Sequence, residues 1–336
     1  MTGLFAVSEA VARALAARRP VVALETTLVT HGLPPPEGVE VALELEREVA
    51  SRGAVPATIG VLDGKLCVGL ERTELERLAA GGSVAGSTAP RGGAPSGAAP
   101  APIAARTSVV SARRAAKLSL GNLAAVLASG EPGSTTVAAT LFAAARVGIQ
   151  VFATGGIGGV HRGASETGDV STDLVALARF PVAVVCAGAK AVLDLEKTVE
   201  MLETLGVPVL GLGTDEFPAF YRRSSGLPVD RRYDALPDLA AAVRTHFALG
   251  LGTGVVIANP IPAEHEMPRE LYERSLATAL ADAGRLGVRG REVTPYLLER
   301  LRELTASGSV FSNWALLVHN ARVAAGLAVA IAAGAA

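Results

Sequence analysis

Residues 150–163 read Gln150-Val151-Phe152-Ala153-Thr154-Gly155-Gly156-Ile157-Gly158-Gly159-Val160-His161-Arg162-Gly163, a short apolar run that empties into a glycine-rich loop. A short apolar run bounded by glycines reads as a buried strand. It stands inside a regular alternation. Thr135 to Val147 before it reads as helix, Ser171 to Phe180 after it as helix, and Val182 to Cys186 as strand. Lys190 to Leu205 has helical spacing, Val207 to Leu210 reads as strand, Asp238 to Leu249 as helix and Gly254 to Ala258 as strand. From about Pro268 the chain reads as mostly helical. Strands alternating with helices predict a largely parallel sheet covered on both faces.

Upstream, Val21 to Leu24 reads as a strand and is followed by the turn-rich His31-Gly32-Leu33-Pro34-Pro35-Pro36. Prolines are tolerated in a first helical turn, so a helix is expected just after them, with Val41, Ala42, Leu45 and Val49 on its apolar face and Gly53 closing it. Thr58 to Leu62 and Leu66 to Val68 flank Asp63-Gly64, a hairpin signal because both central turn residues need positive φ. The sheet is therefore expected to be mixed. Residues 81–105 are Ala/Gly/Pro/Ser-rich with one charge, Arg91, and read as a flexible surface insertion or linker, in a chain whose 336 residues suit one large α/β domain or two smaller ones.

Composition narrows the function classes. Lys plus Arg is 31 against 32 for Asp plus Glu, with no basic run, which argues against a nucleic-acid partner. Cys67 and Cys186 both lie in apolar runs, so a disulfide framework is not expected and a reducing, cytoplasmic compartment is. The apolar tail from Val323 to Ala336 falls short of the roughly 20 residues a spanning helix needs, and no signal-peptide order opens the chain. No membrane partner is expected.

In open α/β sheets ligands bind beyond the carboxyl ends of the strands. Those ends carry Glu25-Thr26-Thr27, the loop from Thr154 to Gly163, Ala187-Gly188-Ala189-Lys190, and Asn259-Pro260. The loop is not a dinucleotide fingerprint, since His161 stands where the last glycine would be, and no Lys-Ser/Thr follows Gly163 to make a P-loop. It reads either as a tight structural turn or as an anion cradle with His161 or Arg162 as donors. Lys190, at a strand-to-helix junction, is either an exposed first-turn lysine or a partly desolvated amine able to attack a carbonyl carbon. A cation at a helix N-terminus opposes the macrodipole, which counts against the first reading. Asp169 and Asp173 lie four apart: either one of them holds a hard divalent ion, magnesium or manganese, or the segment caps a helix through Asp169 or Ser171. Glu25, directly after a buried strand, suits acid–base work through a raised pKa.

Several strings are familiar in order. They are Ala23-Leu24-Glu25-Thr26-Thr27 with His31-Gly32-Leu33-Pro34, Gly53 to Thr58, Asp63-Gly64 to Leu70, Thr135 to Thr140, Phe152 to Gly163 and Val184 to Lys190. Pro218-Ala219-Phe220, Ala258 to Pro262, Glu292 to Pro295 and Asn313 continue the series. Together the chain resembles the pseudouridine-5′-phosphate glycosidases, also called the indigoidine synthase A-like family, over nearly its whole length apart from residues 81–105. The resemblance implies a single catalytic domain spanning 1–336 with a flexible insertion at about 81–105, a three-layer α/β/α sandwich, and reversible cleavage of the C–C glycosidic bond of pseudouridine 5′-phosphate to uracil and ribose 5-phosphate. It places a nucleophilic lysine that forms a covalent sugar adduct on Lys190, an acid–base glutamate on Glu25 and a manganese-ligating aspartate on Asp169. It also implies one Mn2+ per subunit. Ser171, Thr172, Asp173 and Val137 match substrate-contact positions, and Lys117 a phosphate-side lysine; Thr154, His161 and Asn313 match pocket members. A homotrimer acting on a small sugar-phosphate substrate is implied.

The chemistry suits those residues. A C–C glycosidic bond has no heteroatom leaving group to protonate, so a pair of carboxylates alone is poorly matched to it. An acid at the ring oxygen and an amine at the anomeric carbon together create an iminium electron sink. One departure stands beside the phosphate-side lysine: the family commonly shows Lys-x-Ser-Arg-Arg-Asp-Leu, and this chain reads Lys117-Leu118-Ser119-Leu120-Gly121-Asn122-Leu123. The same lysine chemistry on another base or sugar phosphate, or a catalytically silent sugar-phosphate-binding relative, are the rival readings.

Overall fold

The computed structural model describes residues 3–32, 36–81, 115–288, 293–306 and 308–334. Nearly all of the Ala/Gly/Pro-rich stretch at 81–105 lies outside the described residues, as do Leu33, Pro34, Pro35 and Glu292 of the motifs above.

The chain opens with β1 (Phe5–Val7), α1 (Glu9–Ala16) and β2 (Val21–Leu24), and after a π-helical turn at Leu28–Gly32 continues into α2 (Glu37–Ser51). The hairpin of β3 (Val55–Leu62) and β4 (Lys65–Val68) follows, then α3 (Arg72–Ala79), β5 (Ala116–Leu118), α4 (Leu123–Ser129), β6 (Gly133–Thr135) and α5 (Val137–Val147). Next come β7 (Val151–Ala153), α6 (Ala164–Thr167), α7 (Thr172–Leu177), β8 (Ala183–Cys186), α8 (Leu195–Thr204) and β9 (Val209–Leu212). The last third comprises β10 (Arg231–Tyr233), α9 (Leu236–Ala248), β11 (Val255–Ala258), α10 (Arg269–Leu286), α11 (Val293–Leu304) and α12 (Gly308–Ala333).

The strands form one sheet in the order β1-β4-β3-β2-β7-β8-β11-β9-β10, with β6 beside β3 and β5 beside β6. Among the described residues only the β3–β4 and β3–β6 strand pairs are antiparallel. The mixed, mostly parallel sheet expected from the alternation is present. The hairpin turns at Asp63 and Gly64, with φ of 51° and 71°. Every residue of β2, β7, β8 and β11 is buried, as strands covered on both faces require. One helical layer is α2, α9 and α12 packed together over β7 and β8; α5 packs on β2 and β3 with α7 beside it.

Two sequence expectations shift. Lys190 to Leu205 is not helical throughout: α8 begins at Leu195, where the Asp194 side chain caps it by accepting the Lys197 N–H at 3.2 Å. The six residues before it run beside the glycine loop, with Ala189 bridged to Ile157 and the Lys190 N–H donated to the Ile157 carbonyl at 3.0 Å. Tertiary pairing overrides helical spacing there, so Lys190 sits on a loop and the macrodipole argument does not apply to it. Thr135 belongs to β6 and not to the helix, which starts at Val137. Cys67 and Cys186 are buried and free of disulfides, as expected. The apolar tail is the end of a longer element, α12, which is long and apolar enough to cross a membrane by composition. Here its apolar surface is largely spent on α2, α9 and the sheet.

Candidate active site

The carboxyl ends of β2, β7 and β8 meet in one place. Leu24 pairs with Ala153 and Ala153 with Val185, so the residues that follow each strand emerge side by side. Glu25 leaves β2 with 8% of its surface exposed, and its Oε1 accepts the Thr154 hydroxyl at 2.5 Å. Burial raises the Glu25 carboxyl above its ordinary value; the positive charge of Lys190 is the strongest opposing influence, followed by the Thr154 hydrogen bond, while Asp173 raises it and Lys117 lowers it. Glu25 therefore lies within electrostatic reach of Lys190, Lys117 and Asp173. The sequence scatters these four groups over 165 positions, and the sheet gathers them.

Behind Glu25, threonines tie β2 to β6. Thr26 and Thr135 both donate to the Ile59 carbonyl at 2.7 Å, the Thr135 N–H donates to the Thr26 hydroxyl at 3.0 Å, and Thr27 donates to the Thr135 carbonyl at 2.7 Å.

The loops after β7 and β8 are zipped together. Thr154 N–H donates to Val185, Ala187 N–H to Gly155, Ile157 N–H to Gly188 and Lys190 N–H to Ile157, all between 2.9 and 3.1 Å. The glycines serve close packing: a Cβ on Gly156 would meet the Phe220 ring at 2.6 Å, one on Gly158 the Ser171 hydroxyl at 2.2 Å, and one on Gly159 the Thr198 hydroxyl at 2.3 Å. Gly188, at φ +85°, would put a Cβ 1.9 Å from the Pro218 carbonyl oxygen. The N–H groups of Ile157, Gly158, Val160 and His161 are all donated to protein acceptors. Of the two readings of this loop, the tight structural turn is the one its hydrogen bonds favour.

Asp173 is the hub of that turn. Its Oδ1 accepts the Ala138 N–H at 2.9 Å, at the start of α5, and its Oδ2 accepts the Gly158 N–H at 2.8 Å. Ser171 caps α7 by accepting the Asp173 N–H at 3.2 Å, and Thr172 is exposed. Asp169 is different. Its side chain is 32% exposed, and its Oδ2 lies 3.9 Å from Nδ1 of His161. The His161 ring is lowered in pKa by burial, which Asp169 opposes and Lys190 and Lys117 reinforce. Among the described residues no group of three or more His, Cys, Asp or Glu side chains gathers around a cation-sized space. An ion held here would take the Asp169 carboxylate and complete its shell with water, as small hard cations do.

At the edge formed by β5 and β6, Lys117 stands in register with Ser134. The Ser134 hydroxyl is 2.6 Å from that of Thr30, which is itself 2.6 Å from Nδ1 of His31. Asn122, in the departing segment, closes the turn after Lys117: its Nδ2 donates to the Lys117 carbonyl at 3.0 Å and its Oδ1 accepts the Ser119 N–H at 2.8 Å. Val137 is fully buried, but Thr136 before it holds a buried hydroxyl without a hydrogen-bond partner, unique among the described residues. Thr136 is the N-cap of α5, where a helix N-terminus favours an anion. The sequence reading passed over it, although Thr-Val opening an apolar helical run is a cap signature.

Asn313 lies on α12 beside Gly155, whose Cβ would come 3.5 Å from its Oδ1. A second asparagine of α12, Asn320, was also passed over. It is fully buried, accepts from Asn259 Nδ2 at 2.8 Å, and donates to the Thr154 carbonyl at 2.8 Å.

Comparison with known proteins extends these findings. The profile of the family described as "Indigoidine synthase A like protein" matches residues 10–91 and 102–330. A pseudouridine-5′-phosphate glycosidase of Solibacter usitatus is 48% identical, covering 95% of this chain and 96% of the relative. One of Paracoccus denitrificans is 46% identical over 99% of this chain and 100% of the relative. Among solved structures, the prealnumycin C-glycosynthase AlnA in complex with ribulose 5-phosphate superposes with a TM-score of 0.84 at 37% identity, covering 100% of this chain and 99% of that one. An indigoidine synthase A-like protein from Thermotoga maritima gives 0.78 at 34% identity, covering 94% of each chain.

Proposed function

The chain belongs to the indigoidine synthase A-like family, and from that premise we propose that it is a pseudouridine-5′-phosphate glycosidase, an enzyme of C-glycosidic sugar phosphates. The observation that carries this reading is Glu25, a buried carboxyl raised by desolvation yet within electrostatic reach of two lysines, Lys190 and Lys117. A C–C glycosidase needs that combination: a proton source and an amine on the same sugar, with a cation near its phosphate.

In the proposed reaction Glu25 gives its proton to the ribose ring oxygen as the Lys190 amine bonds to the anomeric carbon and the bond to that oxygen breaks. The Glu25 carboxylate then takes a proton from the new secondary ammonium and delivers it to the uracil ring carbon. The C–C bond breaks as the nitrogen lone pair forms the iminium, and uracil leaves. Water hydrolyses the iminium, freeing Lys190 and ribose 5-phosphate. The Thr136 hydroxyl, the α5 N-terminus and Lys117 suit the 5′-phosphate. Mn2+ on Asp169 would polarise and order substrate oxygens and water. Asp173 and Ser171 hold the loop that shapes the pocket, while His161, Thr154 and Asn313 line it. Assembly as a homotrimer goes with the same reading and is checked by sedimentation.

The test is mass spectrometry of the protein mixed with ribose 5-phosphate, uracil and manganese, after borohydride reduction and digestion. A sugar adduct on the Lys190 peptide, lost in Lys190→Ala, together with pseudouridine 5′-phosphate in solution, is the expected result. Neither adduct nor product from folded, metal-loaded protein would overturn it. A second reading, the same lysine chemistry on another base or sugar phosphate, is favoured by one observation: the turn after Lys117 is closed by Asn122 and carries Leu120 and Gly121 in place of the family's two arginines, beside the lysine assigned to the phosphate. An adduct without pseudouridine 5′-phosphate would select it.

A further inference from the structure

Helix α12 is apolar along most of its length, and Asn320 is buried within it, with 0% of its surface exposed. An amide taken out of water there must find partners or cost stability. It finds them on two strand ends. The Thr154 carbonyl can only accept, so Asn320 must turn its Nδ2 towards it, at 2.8 Å, with a longer approach to the Gly155 carbonyl at 3.5 Å. Its Oδ1 then faces Asn259, which must present Nδ2, at 2.8 Å. The orientation of both amides is thus set by one backbone carbonyl. Thr154 is also the residue whose hydroxyl holds Glu25. An unbroken path runs from the middle of α12 through a strand-end peptide to the proposed acid–base carboxyl, over residues that are all buried.

We propose that Asn320 is a positioning residue for Glu25, fixing through Thr154 the orientation in which that carboxyl exchanges its proton. The proposal rests on the functional reading above for what Glu25 does, though not for how it is held. Plain packing would account for a buried amide, but not for one that spends its donor on the residue that grips Glu25. The charged groups that act on Glu25 are Lys190, Lys117 and Asp173, whereas Asn320 reaches it through uncharged hydrogen bonds to Thr154.

Asn320→Asp and Asn320→Ala test this in the full-length, manganese-loaded protein. The aspartate variant keeps the shape and the acceptor for Asn259 while losing the donor to Thr154, so it can be read even where the alanine variant folds poorly. Two readouts are taken. In steady-state kinetics on pseudouridine 5′-phosphate, kcat per folded molecule is expected to fall about tenfold with KM little changed, the signature of a lost transition-state interaction. Independently of any substrate, the infrared carboxyl band assigned to Glu25 by its absence in Glu25→Gln is expected to shift in both variants. A melting temperature that drops while kcat and the Glu25 band stay at their parent values would overturn the proposal and leave Asn320 as packing alone. Parent protein with no activity on pseudouridine 5′-phosphate would count against the functional reading only, because the infrared band still decides the role of Asn320.

Discussion

Thr154 donates its hydroxyl hydrogen to Oε1 of Glu25 across the gap between two adjacent parallel strands, at 2.5 Å. The bond favours the ionised carboxylate and so opposes the upward pull of burial. Thr154→Val keeps the shape and removes the donor. The Glu25 carboxyl should rise further, and the limb of the kcat–pH profile that Glu25 governs should move to higher pH, with kcat at neutral pH down about tenfold. A limb that stays in place would break the link between the two residues.

Glu25 itself should weaken the fold at neutral pH. Its folded pKa lies above the ordinary value of 4.5, so the protonated form binds the fold better than the ionised form. Stability is then fully present below 4.5 and is lost as pH rises through the folded pKa, at about 1.4 kcal/mol for each unit of elevation. Glu25→Gln cannot ionise. It should unfold at higher denaturant than the parent at pH 8, match it more closely near pH 4, and lose activity by a factor on the order of 10²–10⁴. Parallel stability curves for the two proteins would contradict this.

Asp173 acts on Glu25 with the opposite sign. Its negative charge raises the Glu25 carboxyl, so Asp173→Asn should carry the kinetic limb to lower pH, the reverse of Thr154→Val. It also points an amide N–H at either the Ala138 or the Gly158 N–H, both buried donors, which should cost about 3 kcal/mol in a denaturant titration. Limbs that move the same way in the two variants would refute the assignment.

Metal dependence should map to Asp169. Activity should vanish after dialysis against a chelator and return with Mn2+, and Asp169→Asn should need at least about tenfold more metal, as loss of one carboxylate from a sparse site implies. Manganese titration followed by electron paramagnetic resonance reads the affinity without turnover. Undiminished activity in chelator would rule the metal out.

The residues to which the proposed reaction gives a part stood at readable places. Glu25, Thr154 and Lys190 each follow an apolar run of strand length, and in a parallel sheet such positions converge, so their meeting could be expected from spacing alone. Other features depend on contacts that spacing does not encode. The three-residue strands β5, β6 and β10 read AKL, GST and RRY and lack the apolar run that marks the equally short β7. Asp173 reads locally as a first-turn acid, and only the folded chain reveals that its two oxygens hold the start of α5 and the glycine loop. The helical spacing after Lys190 was outweighed by pairing with a loop some thirty residues earlier. Asn320 reads as a stray amide in an apolar helix because both its partners lie in other elements.

Helix α12 packs against α2, β2 and β7, elements that lie nearly 300 residues earlier in the case of β2. Contacts of such sequence separation form late, because a long loop must close before they yield anything. During synthesis the sheet and its lysine loop emerge from the ribosome well before the helix that carries Asn313 and Asn320. The nascent sheet would thus carry Glu25, Thr154 and Lys190 before Asn320 is there to hold the Thr154 peptide, so the path that ends on the Glu25 carboxyl is completed only when the final helix docks.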